Sequence, residues 1–207
     1  RSSLQSIISR MKAKFAALIV ATVPNPLDTA YFTTLDNATS YVGAPADVLM
    51  RLYGLRRDDL ITIPGLATMG RQILAEEIGK LPTGSVVSAA VAGQIQDRVQ
   101  SYNAAITSLA KENGALLLDL NSVIRSVRVS GLLVGTRTLT ADFLGGFYLL
   151  NGLYPGFTGH GLMANEMLRL INQSFGTSYS LLDLNSLAKD DPARRFRPAR
   201  RPIPVEP

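Results

Sequence analysis

The chain contains no cysteine, no tryptophan and a single histidine among 207 residues. Without cysteine there is neither a disulfide nor a thiolate metal site, which fits an exported protein as well as a cytosolic one. One imidazole, with no acidic residues clustered at ligand spacing, argues against a transition-metal site. The phosphate-binding patterns G-x-G-x-x-G and G-x-x-x-x-G-K-[ST] do not occur. The glycines of GLATMG, residues 65–70, sit at the edge of a helical pattern, where capping explains them. No run of about eighteen apolar residues is present, and the opening RSSLQSIISRMKAKF lacks the apolar core of a signal peptide. The first residue is Arg1 rather than Met, as expected of a processed protein or of one that starts inside a longer protein.

What is present is a composition 46% hydrophobic, with 17 Gly and 11 Pro, which implies one sizeable globular domain followed by a tail. The net charge of +5 is uneven. From Lys189 the sequence reads KDDPARRFRPARRPIPVEP, six cations against Asp190, Asp191 and Glu206, so this stretch carries +3 of the total. Its prolines block helix and central strand alike, so a solvated, partly polyproline-like extension is expected. Phe196 is its one aromatic residue, too few for a base-stacking platform, and nucleic acid is not the favoured partner.

Along the body, Ser2 to Lys14 reads as a helix leading into FAALIVATVPNP. The apolar run Phe15 to Val23, halted by Pro24 and Pro26, fits a strand buried on both faces of a parallel sheet. A loop is expected over 25–40, helices over Ala44–Tyr53 and Leu66–Lys80, and a short extended piece over Leu60–Ile63. Ser88 is a good N-cap for a long helix to Asn113, with Gly114 as its stop. Val91, Ile95, Val99, Tyr102, Ile106 and Leu109 give that helix one apolar face. The run ALLLDL, Ala115 to Leu120, then reads as a second buried strand, and helix, glycine, strand is the αβ half of a βαβ unit. Ligands in such sheets sit beyond the carboxyl ends of the strands, so the segments after Val23 and after Leu120 are where chemistry gathers. A last helix, Gly159 to Phe175, carries Leu162, Met163, Met167, Leu170 and Ile171 as packing residues.

The order PTGSVVSAAVAGQIQDRVQSYNAAITSLAKENGALLLDLNSV, then GTRTLTADFLGGFYLLNGLYPGFTGHGLMANEMLRLIN, resembles the carboxyl-terminal half of bacterial SGNH (GDSL-type) ester hydrolases. The similarity runs from about Leu4 to Phe175 and includes a YN in the long helix, F-x-G-G before the last loop and AN inside the last helix. The resemblance implies a flavodoxin-like α/β/α domain over residues 1–176, an extension over 177–207, and hydrolysis of an ester or lipid-like small molecule by a serine, without cofactor or metal. It also implies export, periplasmic or extracellular. No G-D-S block occurs in the chain, nor the Gly and G-x-N-D blocks that supply oxyanion donors. By register these lie upstream of Arg1, so the sheet is expected to be incomplete, completed by an upstream segment, a partner chain or a second copy.

The match sets Asn151 at the family's catalytic Asp position and Tyr154 at its His position. A serine nucleophile needs a base near neutral pH, for which imidazole at a pKa of about 6.5 is suited, whereas a phenol at about 10 is a donor. Asn151 carries no charge to hold an imidazolium, and in a serine protease the equivalent Asp-to-Asn change costs about four orders of magnitude in rate. Both residues then keep the backbone outline of the site, with their side chains expected in one cleft at the carboxyl end of the first strand. His160 is the remaining imidazole. It reads first as a packing or hydrogen-bonding residue of the last helix, and second as a substitute base oriented by Asp142. Two functions stay open: an ester hydrolase represented by its carboxyl-terminal part and inactive alone, or a catalytically silent SGNH-like module for binding or assembly.

Overall fold

The computed structural model describes residues 2–14 and 17–193, in a mixed α/β arrangement of mostly helix with three small sheets. Phe15, where the first strand is expected to begin, and the basic stretch from Arg194 lie outside the described residues. Helix α1 (Ser2–Lys12) precedes strand β1 (Ile19–Ala21), which pairs in parallel with β5 (Leu116–Leu118) in the register Ile19 to Leu116 and Ala21 to Leu118. This two-stranded pair is the parallel sheet foreseen from the two apolar runs, but β1 is not buried on both faces as expected: Ile19 and Val20 are half-buried and Ala21 is exposed, since no third strand covers the pair among the described residues. Between them runs α5 (Ala89–Glu112), capped by the Ser88 hydroxyl accepting from the Val91 N–H and stopped before Gly114 at φ +62°. Its apolar face is buried only in part: Val99, Ile106 and Leu109 are covered, whereas Val91 and Tyr102 are exposed.

The piece over Leu60–Ile63 is not part of the parallel sheet. Strand β3 (Leu60–Thr62) is the centre of an antiparallel sheet between β2 (Phe32–Thr34) and β4 (Val86–Val87). Residues 25–40 are not a plain loop either. They form a 3-10 turn (Pro26–Asp28), β2, and most of α2 (Leu35–Val42), which begins at the Thr34 cap and ends at Gly43 with φ +74°. Helix α3 (Ala46–Tyr53) matches the expected span within two residues, whereas α4 (Ile63–Leu74) starts earlier and ends earlier than Leu66–Lys80. Pro64 and Gly65, read as the end of a strand, open this helix instead. Proline suits the first turn because its missing N–H has no intrahelical partner there. Gly65 is required because a Cβ would stand 2.3 Å from the Ser85 carbonyl oxygen. Leu35, Leu49, Ile61, Leu66 and Met69 close the core here, each worth roughly 1.5–3 kcal/mol of apolar burial.

A second core gathers Ile124, Val127, Leu139, Phe147 and Leu162. It joins α6 (Leu120–Ser130), the hairpin of β6 (Leu132–Val134) with β7 (Arg137–Leu139), and α7 (Phe157–Phe175). Met163 packs against this core, as expected of a packing helix, but Met167 is exposed. The extension after Gly176 folds back as α8 (Leu184–Asp190) against α7. The Asn165 amide makes both hydrogen bonds to the Leu182 backbone, at 2.7 and 3.0 Å. Lys189 to Ala193 therefore departs from the solvated tail foreseen, since Asp191 and Ala193 are each 2% exposed. Helix α7 has no cap of its own; Asp191 supplies one by accepting the Thr158 N–H at 2.6 Å. Among the described residues no helix is long and apolar enough to cross a membrane.

Candidate functional site

A cleft of about 440 Å³ opens beyond the carboxyl ends of β1 and β5, between α5, the 3-10 turn and the start of α6. Its location follows from the parallel pairing, because both strands run toward it and the loops that leave them must turn there. The rim is a closed hydrogen-bond network. The Thr22 hydroxyl donates to Asp119 Oδ1 at 2.8 Å and accepts the Asn121 N–H at 2.9 Å. The Asn121 side-chain carbonyl accepts the Asn25 N–H at 3.0 Å, and the Asn25 side-chain carbonyl accepts the Leu27 N–H at 3.0 Å. Opposite, the Asn103 amide bonds both the N–H and the carbonyl of Val23, at 2.8 and 2.9 Å, and so ends the open side of β1 as a neighbouring strand would.

Two carboxylates and one guanidinium provide the charge. Asp119 caps α6 through the Ser122 N–H at 3.2 Å and also accepts the Ser122 hydroxyl at 2.6 Å. Burial pushes its carboxyl up, but the hydrogen bonds from Ser122 and Thr22 outweigh that and hold it below the usual carboxylate range. Asp28 is 6% exposed. Arg125 reaches its Oδ1 at 3.4 Å, while its buried Oδ2 has no hydrogen-bond partner. Nearby, the phenol of Tyr148 is pushed up to about 12, first by burial and then by the negative charge of Asp28.

The residues singled out by the family resemblance lie on a neighbouring turn. The Tyr31 N–H donates to the Gly152 carbonyl at 2.9 Å, and the Ile63 N–H to the Tyr31 carbonyl at 3.1 Å, so residues 149–156 are tied to the segment that leaves β1. The Asn151 side-chain carbonyl accepts the N–H groups of Leu153 and Tyr154, at 2.9 and 3.1 Å, and is committed to its own turn. Contrary to the expectation that both side chains share one cleft at the end of β1, Tyr154 is 64% exposed and neither residue lines the cleft, because the Asn151 side chain closes its own turn instead. His160 is exposed in the first turn of α7, with no side-chain hydrogen bond among the described residues. Asp142 is not its partner: its Oδ1 accepts from Asn37 at 2.9 Å and Arg128 at 3.2 Å.

The cleft itself was foreseen from the strand ends; Asp28, Arg125 and the Thr22–Asp119 link were not. The signal for Asp28 was the run NPLD, where Asn25 caps a turn begun by Pro26 and so aims the third residue back at the fold. A second cavity of about 240 Å³ lies under the β6–β7 hairpin and α8, but the carboxylate in it, Asp191, has both oxygens occupied by backbone N–H groups. It is a closing contact rather than a reactive one. Among the described residues no cluster of three or more His, Asp or Glu is placed to hold a metal ion. Comparison of the chain with protein-family models, with curated proteins and with solved structures returns no match.

Proposed function

We propose that the chain is the carboxyl-terminal part of an SGNH-type ester-hydrolase unit, of three-layer flavodoxin-like architecture, and that alone it does not turn esters over. The observation that carries this reading is the Tyr31–Gly152 hydrogen bond, which seats the turn bearing Asn151 and Tyr154 beside the segment leaving a parallel strand. In such an enzyme the final acid–base pair serves a serine at the ends of the same sheet; here the turn is tied to the segment leaving β1, while its two side chains stand outside the cleft. In this reading the serine comes from a block outside these 207 residues, on a preceding segment or another chain, and the β1–β5 pair is completed by the same body. In such a unit the serine hydroxyl attacks the carbonyl of a carboxylic ester while a histidine takes its proton and returns it to the departing alcohol; position 154, where that histidine would stand, is Tyr.

The chemistry stops at that base. Tyr154 donates a proton rather than accepting one, and Asn151 spends its carbonyl on two backbone N–H groups. These two observations favour the second reading, a silent SGNH-like module used for binding or assembly. One experiment tests the placement of the family's last block on these two positions: Asn151→Asp with Tyr154→His, made in the chain joined to a Ser-bearing SGNH amino-terminal block. The proposed placement expects a gain in ester hydrolysis that exceeds the two single changes combined, because an acid–base dyad works as a unit. A folded but inert double variant contradicts it.

A further inference from the structure

We propose that helix α1 lies on an anionic lipid surface through the stripe Ile7, Arg10, Met11 and Lys14. These positions recur at the spacing of one helical face. The turn they need continues past Lys12, because the Ala13 N–H donates to the Ser9 carbonyl at 3.2 Å and the Lys14 N–H to the Met11 carbonyl at 2.9 Å. The adjoining row, Leu4, Ile8 and Lys12, holds the helix to the domain: Ile8 is 2% exposed and Leu4 is half-buried. The Lys12 ammonium lies 3.7 Å from where a Cβ on Gly114 would stand, just past the carboxyl end of α5, where the helix dipole favours a cation. That seating turns the stripe outward. Ile7 is 54% and Met11 40% exposed, and Arg10 and Lys14 are exposed with no ion-pair partner among the described residues.

Charge and side-chain type together select the occupant. No acidic residue precedes Asp28 in the sequence, so nothing on α1 offsets its cations. Two aliphatic side chains set among two cations match the boundary of a bilayer with anionic headgroups. The apolar atoms enter the acyl edge, while the long stems of Arg10 and Lys14 carry their charges back to the headgroups. Nucleic acid would use the cations but gain nothing from Ile7 and Met11, and α1 has no aromatic side chain to stack on a base. Two apolar residues are few for an interfacial helix, so the apolar and electrostatic parts are both required, and binding is reversible and sensitive to salt. With 11 residues α1 lies along the surface and does not span it. None of this depends on an ester-hydrolase activity.

The test is co-sedimentation of the chain with vesicles of phosphatidylcholine alone and of phosphatidylcholine with phosphatidylserine. Arg194, Arg195, Arg197, Arg200 and Arg201 are first changed to Gln, so that the basic tail does not contribute. This tail-neutral chain should bind the phosphatidylserine vesicles about ten-fold or more tighter than phosphatidylcholine alone. Arg10→Gln with Lys14→Gln should weaken that binding about ten-fold or more, and Ile7→Ser with Met11→Ser about ten-fold. All four side chains are exposed, so neither pair of changes opens the core. Because the chain has no cysteine, Ile7→Cys or Ser9→Cys accepts a single environment-sensitive dye. The dye at position 7 should shift to the blue on phosphatidylserine vesicles, and the dye at position 9, on the far side of the helix, should not. The proposal is overturned if the tail-neutral chain does not bind these vesicles, if either folded double variant binds as tightly as its parent, or if the two dyes shift alike. Binding of duplex DNA in place of vesicles, lost with Arg10 and Lys14 but kept without Ile7 and Met11, overturns it in favour of nucleic acid.

Discussion

Tyr31 and Gly152 touch backbone to backbone: the Tyr31 N–H donates to the Gly152 carbonyl at 2.9 Å, and a Cβ on Gly152 would stand 2.6 Å from that same nitrogen. Gly152 also holds φ +69°, a left-handed conformation that side chains rarely adopt. Gly152→Ala is therefore expected to cost about 2–4 kcal/mol, from the conformational penalty and the clash together. Urea unfolding measures it. A loss under about 0.5 kcal/mol would mean that the turn yields freely and is not fixed against the segment leaving β1.

Asp191 joins the extension to the domain. Its Oδ2 accepts the Thr158 N–H and its Oδ1 the Ala193 N–H, at the positive end of the α7 dipole. Asp191→Ala should cost about 2–3 kcal/mol, since it leaves buried N–H groups unpaired, and Asp191→Asn should cost less because one acceptor remains. Amide exchange locates the effect: protection at Thr158 and Ala193 should drop together, and loss at neither would show that the cap is dispensable.

Tyr148 predicts a limit to stability in alkali. The residue is 4% exposed and its phenol has no hydrogen-bond partner, and burial, with the charge of Asp28, pushes its pKa up from the ordinary 10.0 to about 12. Between those values the unfolded chain has lost the proton that the folded chain retains. This contribution is full below pH 10.0 and declines as pH rises toward about 12. Tyr148→Phe has no proton to lose, so its melting temperature should fall less steeply over this window while remaining level with the parent, or higher, near neutrality. Parallel pH profiles for the two proteins would refute this.

Much of the frame was legible because it rests on local chemistry. Ser88 and Gly114 bracket a helix by capping alone, and the two short, continuous apolar runs became the paired strands β1 and β5, although of these only Leu118 is fully buried. The segment 25–40 was not legible, because Phe32 to Thr34 becomes a strand only through its pairing with Leu60 to Thr62, a contact distant in sequence. The same holds for the site. The cleft's position follows from strand direction, but the burial of Asp28 and the reach of Asn103 to Val23 depend on how distant elements pack. The tail illustrates the converse: its composition reads as solvated, and one carboxylate that finds a helix start brings residues up to Ala193 into the fold.

The proposal that this chain is the carboxyl-terminal part of an ester-hydrolase unit, inactive alone, requires that no serine and base in it work together. The most direct measurement is turnover of a short-chain nitrophenyl ester by the chain as it stands and by its His160→Ala variant. The account predicts no hydrolysis by the chain above that of the variant, since His160 bonds no serine and no carboxylate among the described residues. Hydrolysis that His160→Ala abolishes, in a variant that remains folded, would contradict it and make His160 the base.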